Sequence, residues 1–216
     1  MFEAVLFDLD GTFADTAPDL GGALNALLAE DGRPPLPLAT LRPHTSAGTR
    51  GMLRIGYGLT PEADTYADLA ARFLAHYSKG LCVNSTLFPG IEALIDALES
   101  RGTPWGIVTN KPRRFTEPLL NALPLGPRAA CIVSGDTTAR PKPAPDSLLF
   151  ACDTLNVAPA RTLYVGDDLR DITAGKAAGM PTAAAGWGYL GVDHPIDTWG
   201  ADWIVDSPEA LLHIRT

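Results

Sequence analysis

The sequence predicts an α/β fold: a parallel sheet with helices packed on both faces, and a small all-helical cap inserted after the first strand. Short apolar runs alternate with amphipathic segments along most of the chain. One long interval, residues 18–83, carries helical spacing and no strand-like run. Several apolar runs stop abruptly at acids, hydroxyls or glycine, as strands do where their carboxyl ends build a site.

The first run, Ala4-Val5-Leu6-Phe7, lacks polar alternation and so reads as a strand buried on both faces. Runs of the same kind fall at residues 105–108, 130–133 and 162–165, with weaker ones at 181–184 and 203–205. Between them, apolar residues at three- and four-residue spacing predict helices over 91–98, 115–123, 147–155 and 171–178. Pro89-Gly90 and Gly102 punctuate the first of these. Within 18–83 the same spacing predicts helices over 20–28, 49–55 and 67–77, and the proline-rich stretch 33–43 reads as a loop between two of them. The chain therefore divides into a core of residues 1–15 and 84–216 and a cap of residues 16–83, seated over the mouth of whatever the first strand's loop builds.

A chain of 216 residues can bury a sizeable core. With 46% hydrophobic and 19% charged residues, mixed rather than segregated, it reads as an ordinary globule and not a disordered chain. The net charge of −8, with no block of Lys or Arg, argues against nucleic acid as a partner. No stretch reaches transmembrane length, and the first apolar run is too short, and lacks the basic start, for a signal peptide, so no membrane partner is expected. Cys82, Cys131 and Cys152 are widely spaced and give neither a disulfide framework nor a metal knuckle, which suits a reducing cytoplasm. Nothing in the sequence sets the oligomeric state. If such an acidic chain takes an anionic ligand, a metal or a few placed cations must supply the positive charge.

Four strand ends carry chemistry. After the first strand come Asp8-Leu9-Asp10-Gly11-Thr12: two carboxylates, a glycine able to turn the backbone sharply, and a hydroxyl. After the second core strand, Thr109-Asn110-Lys111 offers a hydroxyl, an amide and backbone N–H groups for anionic oxygens, though Thr109 or Asn110 also suits a helix N-cap. The segment Arg140-Pro141-Lys142-Pro143 holds a cation between prolines that restrict the backbone and aim Lys142 inward, with Arg140 as its rival. The run ending at Val165 leads into Gly166-Asp167-Asp168-Leu169-Arg170-Asp171, where three carboxylates in five residues repel one another unless a cation or hydrogen bonds neutralise them. With Asp8 and Asp10 they suggest an oxygen-ligand site suited to Mg²⁺. The same acids also suit a turn followed by a helix, with Asp171 in its first turn.

In this order the four segments resemble the motifs of the haloacid dehalogenase superfamily of phosphatases, over essentially the whole chain. The resemblance implies a Rossmann-like parallel core, with the helical insertion as the family's cap. It implies Asp8 as nucleophile, Asp10 as acid and base, and Thr109, Asn110 and Lys142 as phosphate-binding groups. Mg²⁺ would be held by Asp8, by the main-chain carbonyl of Asp10 and by Asp167, with Asp168, Asp171, Gly11 and Thr12 in support. Phe13 stands where the family commonly has leucine, a difference expected to affect packing alone. The cap residues His44, Arg50 and Arg54 are candidates for reading the rest of the substrate, or are simply exposed polar side chains.

The implied substrate is a small phosphorylated metabolite. Segments such as Val108-Thr109-Asn110-Lys111-Pro112 are similar to the phosphoglycolate phosphatase group. The run 110–118, Gly188-Tyr189 and Trp199-Gly200-Ala201-Asp202 are similar to bacterial N-acetylmuramic acid 6-phosphate phosphatases, and the two substrates stand level on the sequence. A phosphomutase would use the same Asp8 and Asp10 but keep its intermediate from water. A haloacid dehalogenase also uses an Asp nucleophile but needs no Mg²⁺, which the acid-rich fourth segment disfavours. A phosphate-binding scaffold without turnover would have no need of the full set of carboxylates.

Overall fold

The computed structural model describes residues 2–214. The central strand β1 (Ala4–Phe7) is followed by two-residue strands β2 (Ala14–Asp15) and β3 (Thr86–Leu87), then by β4 (Trp105–Val108), β5 (Cys131–Val133), β6 (Thr162–Gly166), β7 (Thr182–Ala185) and β8 (Trp203–Val205). Six of them form one parallel sheet in the order β5-β4-β1-β6-β7-β8, while β2 and β3 pair antiparallel outside it. β1 lies between β4 and β6, so the chain reverses its direction of travel across the sheet beside β1. Ligands bind outside the carboxyl ends of strands at such a switch point, which is where Asp8 emerges.

The period-two geometry of β1 explains the two-sided core. Val5 and Phe7 face α5 (Ile91–Ser100) and α6 (Arg113–Ala122), packing with Ile91, Leu94, Ile95 and Leu119. Leu6 points the other way, toward α7 (Asp146–Leu155) and α8 (Leu169–Ala177), in a cluster with Leu148, Ala151 and Ala174. Burying one large apolar side chain of this kind contributes roughly 1.5–3 kcal/mol. Phe13 is fully buried and stacks on Trp105 at 5.3 Å.

Between β2 and β3 the chain is helical: α1 (Ala17–Glu30), α2 (Leu38–Leu41), a 3-10 turn over Arg42–Ala47, α3 (Gly48–Tyr57) and α4 (Tyr66–Lys79). Their apolar faces form a separate cluster of Leu20, Leu24, Leu27, Leu53, Phe73 and Tyr77, to which the core adds Phe115. The loop expected over 33–43 is corrected here, because α2 and the start of the 3-10 turn fall inside it. Pro37 caps α2 and Pro43 has a φ already suited to the first turn that follows, while buried Leu41 anchors the segment. The two crossings between helices and sheet are tied together. Asp19 accepts hydrogen bonds from the backbone N–H groups of Val83 (3.0 Å), Asn84 (2.9 Å) and Ser85 (3.0 Å), and from the Ser85 hydroxyl (2.6 Å).

Candidate active site

Asp8 follows β1 and extends its ladder, its N–H donating to the Val165 carbonyl at 2.9 Å. Its carboxylate meets the Lys142 ammonium at 2.9 Å. Lys142 is itself buried and also donates to Asp171 (2.7 Å), the Tyr164 hydroxyl (2.7 Å) and the Val108 carbonyl (3.0 Å). Burial pushes the Asp8 carboxyl up to about 7, against the pull of Lys142. Burial also opposes charge on Lys142, but Asp171 and Asp8 outweigh it and hold the ammonium above its ordinary value. Arg140, the rival cation, is exposed and pairs with Asp146 at 2.9 Å.

Two residues on, Asp10 faces the cavity between sheet and helical layer. It accepts from the Thr16 hydroxyl at 2.6 Å and from the Lys111 ammonium at 2.9 and 3.1 Å. Lys111 is buried and also lies over the ring of Tyr77, 4.8 Å from its centre. Gly11 adopts φ +89°, and any side chain there would run into the Asp167 carboxylate.

Asp167 follows β6 and is fully buried, held by neutral donors: the Thr12 hydroxyl (3.0 Å), the Ser46 hydroxyl (2.8 Å) and the Tyr189 N–H (2.9 Å). Burial raises its pKa well above the usual carboxylate range, and Asp8 and Asp171 add to the effect. The acidic run also opens a helix. Asp168 caps α8 and is clasped by Arg170 at 2.7 and 2.9 Å, which keeps its carboxyl low despite burial. Asp171 reaches back to the Asp168 N–H at 3.1 Å with one oxygen and meets Lys142 with the other.

Carboxylate oxygens of Asp8, Asp167 and Asp171 lie within 4.8 Å of one another. Such a buried set of hard oxygens fits a divalent cation. Asp167 in particular has no cationic partner among the described residues, and its charge needs one. Both oxygens of Asp171 and of Asp167 accept hydrogen bonds, but Asp171 is already charge-paired with Lys142 whereas Asp167 meets neutral donors only.

Thr109 is buried at the end of β4 beside this cluster, and its hydroxyl accepts from the Lys111 N–H at 3.1 Å instead of capping a helix. α6 starts later, after Pro112. Asn110 departs from the expectation that its amide holds phosphate. The carboxamide clamps the main chain of Lys142 at 2.9 Å on both sides, because the loop before α7 passes within reach. Asp8, Asp10, Thr109, Lys111, Lys142 and Tyr77 line a cavity of about 550 Å³. A second cavity of about 490 Å³ shares its wall at Ser46, Arg50 and Arg170 and is also lined by His44 and Arg54. Arg54 pairs there with Asp193 at 3.1 Å.

Sequence reasoning assigned no role to Lys111, Ser46 or Tyr77. Lys111 stood in plain view in the Thr-Asn-Lys segment, whereas Ser46 and Tyr77 lie on the helical insertion and reach the site only through tertiary contact.

A model of the haloacid dehalogenase-like hydrolase family matches residues 5–185. The chain belongs to that family. It is 44% identical over 208 residues to an N-acetylmuramic acid 6-phosphate phosphatase of Pseudomonas putida, covering 96% of this chain and 93% of the relative. It is 46% identical over 209 residues to a phosphoglycolate phosphatase of Xanthomonas campestris pv. campestris, covering 96% and 94%. Among solved structures, a predicted phosphoglycolate phosphatase from Haemophilus somnus 129pt superposes with a TM-score of 0.85 at 26% identity, covering 98% of this chain and 97% of that one. With family and relatives matching along nearly the whole length, this member of the haloacid dehalogenase-like hydrolases is an enzyme, a phosphatase.

Proposed function

We propose that the enzyme is a Mg²⁺-dependent phosphate-monoester hydrolase that carries the phosphoryl group on Asp8. The observation that carries this reading is the placement of Asp8 at the sheet's switch point, its carboxylate on Lys142 at the floor of a large cavity. In the first step an Asp8 oxygen bonds to phosphorus while the bond to the alcohol oxygen breaks, and Asp10 gives that oxygen a proton. In the second, Asp10 takes a proton from water as the water oxygen attacks phosphorus and releases Asp8. The Thr109 hydroxyl and nearby N–H groups hold phosphate oxygens, and Lys142 stays on Asp8, positioned by Asp171 and by the Asn110 clamp. Asp8, Asp167 and the Asp10 carbonyl would hold Mg²⁺, which supplies charge compensation between nucleophile and phosphate. Thr12 and Gly11 keep Asp167 in place, and Asp168 fixes Arg170.

Residues 16–83 act as a cap over the core formed by 1–15 and 84–216, and admit or exclude water between the steps. The free thiols Cys82, Cys131 and Cys152 suit a cytoplasmic location. Of the two candidate substrates we favour N-acetylmuramic acid 6-phosphate. The supporting observation is room: beyond the catalytic cavity, Arg50 borders a second space able to take a sugar acid, and Arg50 has no ion-pair partner among the described residues. Phosphoglycolate, with two carbons, would leave that space empty.

Phosphate release with Mg²⁺ from both compounds, with Asp8→Asn as the blank, tests the reading. We expect kcat/KM for the sugar acid to exceed that for 2-phosphoglycolate at least about tenfold, or ~1.4 kcal/mol of transition-state discrimination. The reverse ratio assigns the cavity to phosphoglycolate. Release no faster than the blank from either sinks the hydrolase mechanism.

A further inference from the structure

The two buried lysines of the site are satisfied differently. Lys142 has four acceptors around its ammonium. Among the described residues Lys111 makes well-aligned hydrogen bonds through its ammonium to Asp10 alone, and otherwise faces Tyr77. Tyr77 comes from α4 of the helical layer, is 2% exposed, and among the described residues its hydroxyl has no well-formed hydrogen bond, with the Lys111 ammonium lying close beside it. A buried hydroxyl without a partner is destabilising, and phenylalanine would fill the same space without that penalty. Burial pushes the Tyr77 hydroxyl up to about 12, so it stays neutral with lone pairs free to accept.

Its position beside Lys111 gives the hydroxyl a use. Both oxygens of Asp10 accept from Lys111, so one that serves the leaving oxygen gives up part of that pairing, and an ammonium left under-paired in a buried site is unfavourable. Resting on the reading of Asp10 as acid and base, we propose that the Tyr77 hydroxyl takes over the Lys111 N–H while Asp10 serves the leaving group. Lys111 keeps its charge and its proton throughout; only one hydrogen bond moves. Lys111 and Tyr77 are thus positioning residues that act through Asp10. Because Tyr77 belongs to α4, the transfer is available only while that helix is seated on the core.

The test is Tyr77→Phe, which keeps the ring and removes only the acceptor. Its kcat/KM reads the first step, measured on the better of the two alkyl phosphates above and on 4-nitrophenyl phosphate, whose leaving group departs without a proton. We expect a loss of about tenfold on the alkyl phosphate, the scale of one charged hydrogen bond, and less than about twofold on the aryl one. The melting temperature should match or exceed wild type. An unchanged alkyl value, or equal losses on both compounds, overturns the proposal. Lys111→Met should show the same alkyl-selective loss, at least as large; a smaller one also overturns it. Asp10→Asn separates the two layers. If it lacks alkyl selectivity, the acid-base reading of Asp10 falls and takes the proposal with it. If it has the selectivity and Tyr77→Phe does not, the proposal falls alone.

Discussion

Asp8 is a carboxylate that the fold holds against its own preference. Burial shifts it from an ordinary 3.8 to about 7, so folding favours the protonated form. The linkage sign follows: the unfolded chain ionises near 3.8 and the folded one near 7, so stability is fully present below the first value and falls as pH rises to the second. A shift of this size corresponds to a few kcal/mol, on the order of ~1.4 per pH unit. In the presence of a chelator, Asp8→Asn should therefore melt above wild type at pH 8, and the gap should shrink as pH falls toward 4. Melting curves across that range check it. A variant that melts lower than wild type at pH 8 would mean that the pairing with Lys142 outweighs burial.

At the level of elements, legibility tracked how local the cause was. β1, β4 and β8 were readable to the residue, because a buried strand is a covalent run of apolar side chains. That Asp8, Asp10, Asp167 and Lys142 gather at one end of the sheet was readable for a related reason, since each lies in a loop that a strand end or flanking prolines mark. β2 and β3 have two residues each, too few to show any period, and pair only because the fold brings residues 14 and 87 together. Lys111 meets Asp10 across 101 positions, a relation no local pattern carries. The bonds at Asp19 are of this hidden kind, and they fasten α1 to the strand that returns to the core. Removing one side of a buried bonded set costs about 1–3 kcal/mol for each donor left unsatisfied, less where water enters. Asp19→Ala should thus lower stability by about 2–4 kcal/mol and open residues 83–85 to proteolysis. Denaturant midpoints and limited digestion read both. Unchanged stability would show that β2 and β3 hold the junction without Asp19.

The whole molecule carries a net charge of −8, and its candidate site concentrates acid: among the described residues the ion pairs of Asp8, Asp10, Asp167 and Asp171 are confined to the ammonium groups of Lys111 and Lys142, and Asp167 has none. That imbalance destabilises the metal-free fold and favours binding of a cation. A ligand that binds only the folded state stabilises it by about 2.7 kcal/mol at a hundred times its Kd. For a chain of this size ~1 kcal/mol moves the melting temperature by roughly 2–4 °C, so saturating Mg²⁺ should raise it by about 5–10 °C. Asp167→Asn separates the two effects. It removes the carboxylate that lacks a cationic partner, so the metal-free variant should melt above metal-free wild type, and Mg²⁺ should then add little. Calorimetry with and without Mg²⁺ on both proteins decides it without recourse to activity. If Mg²⁺ leaves wild type unmoved, or raises the variant as much, the excess of buried carboxylate is balanced within the chain itself and the acids of the fourth segment serve Lys142 and α8 alone.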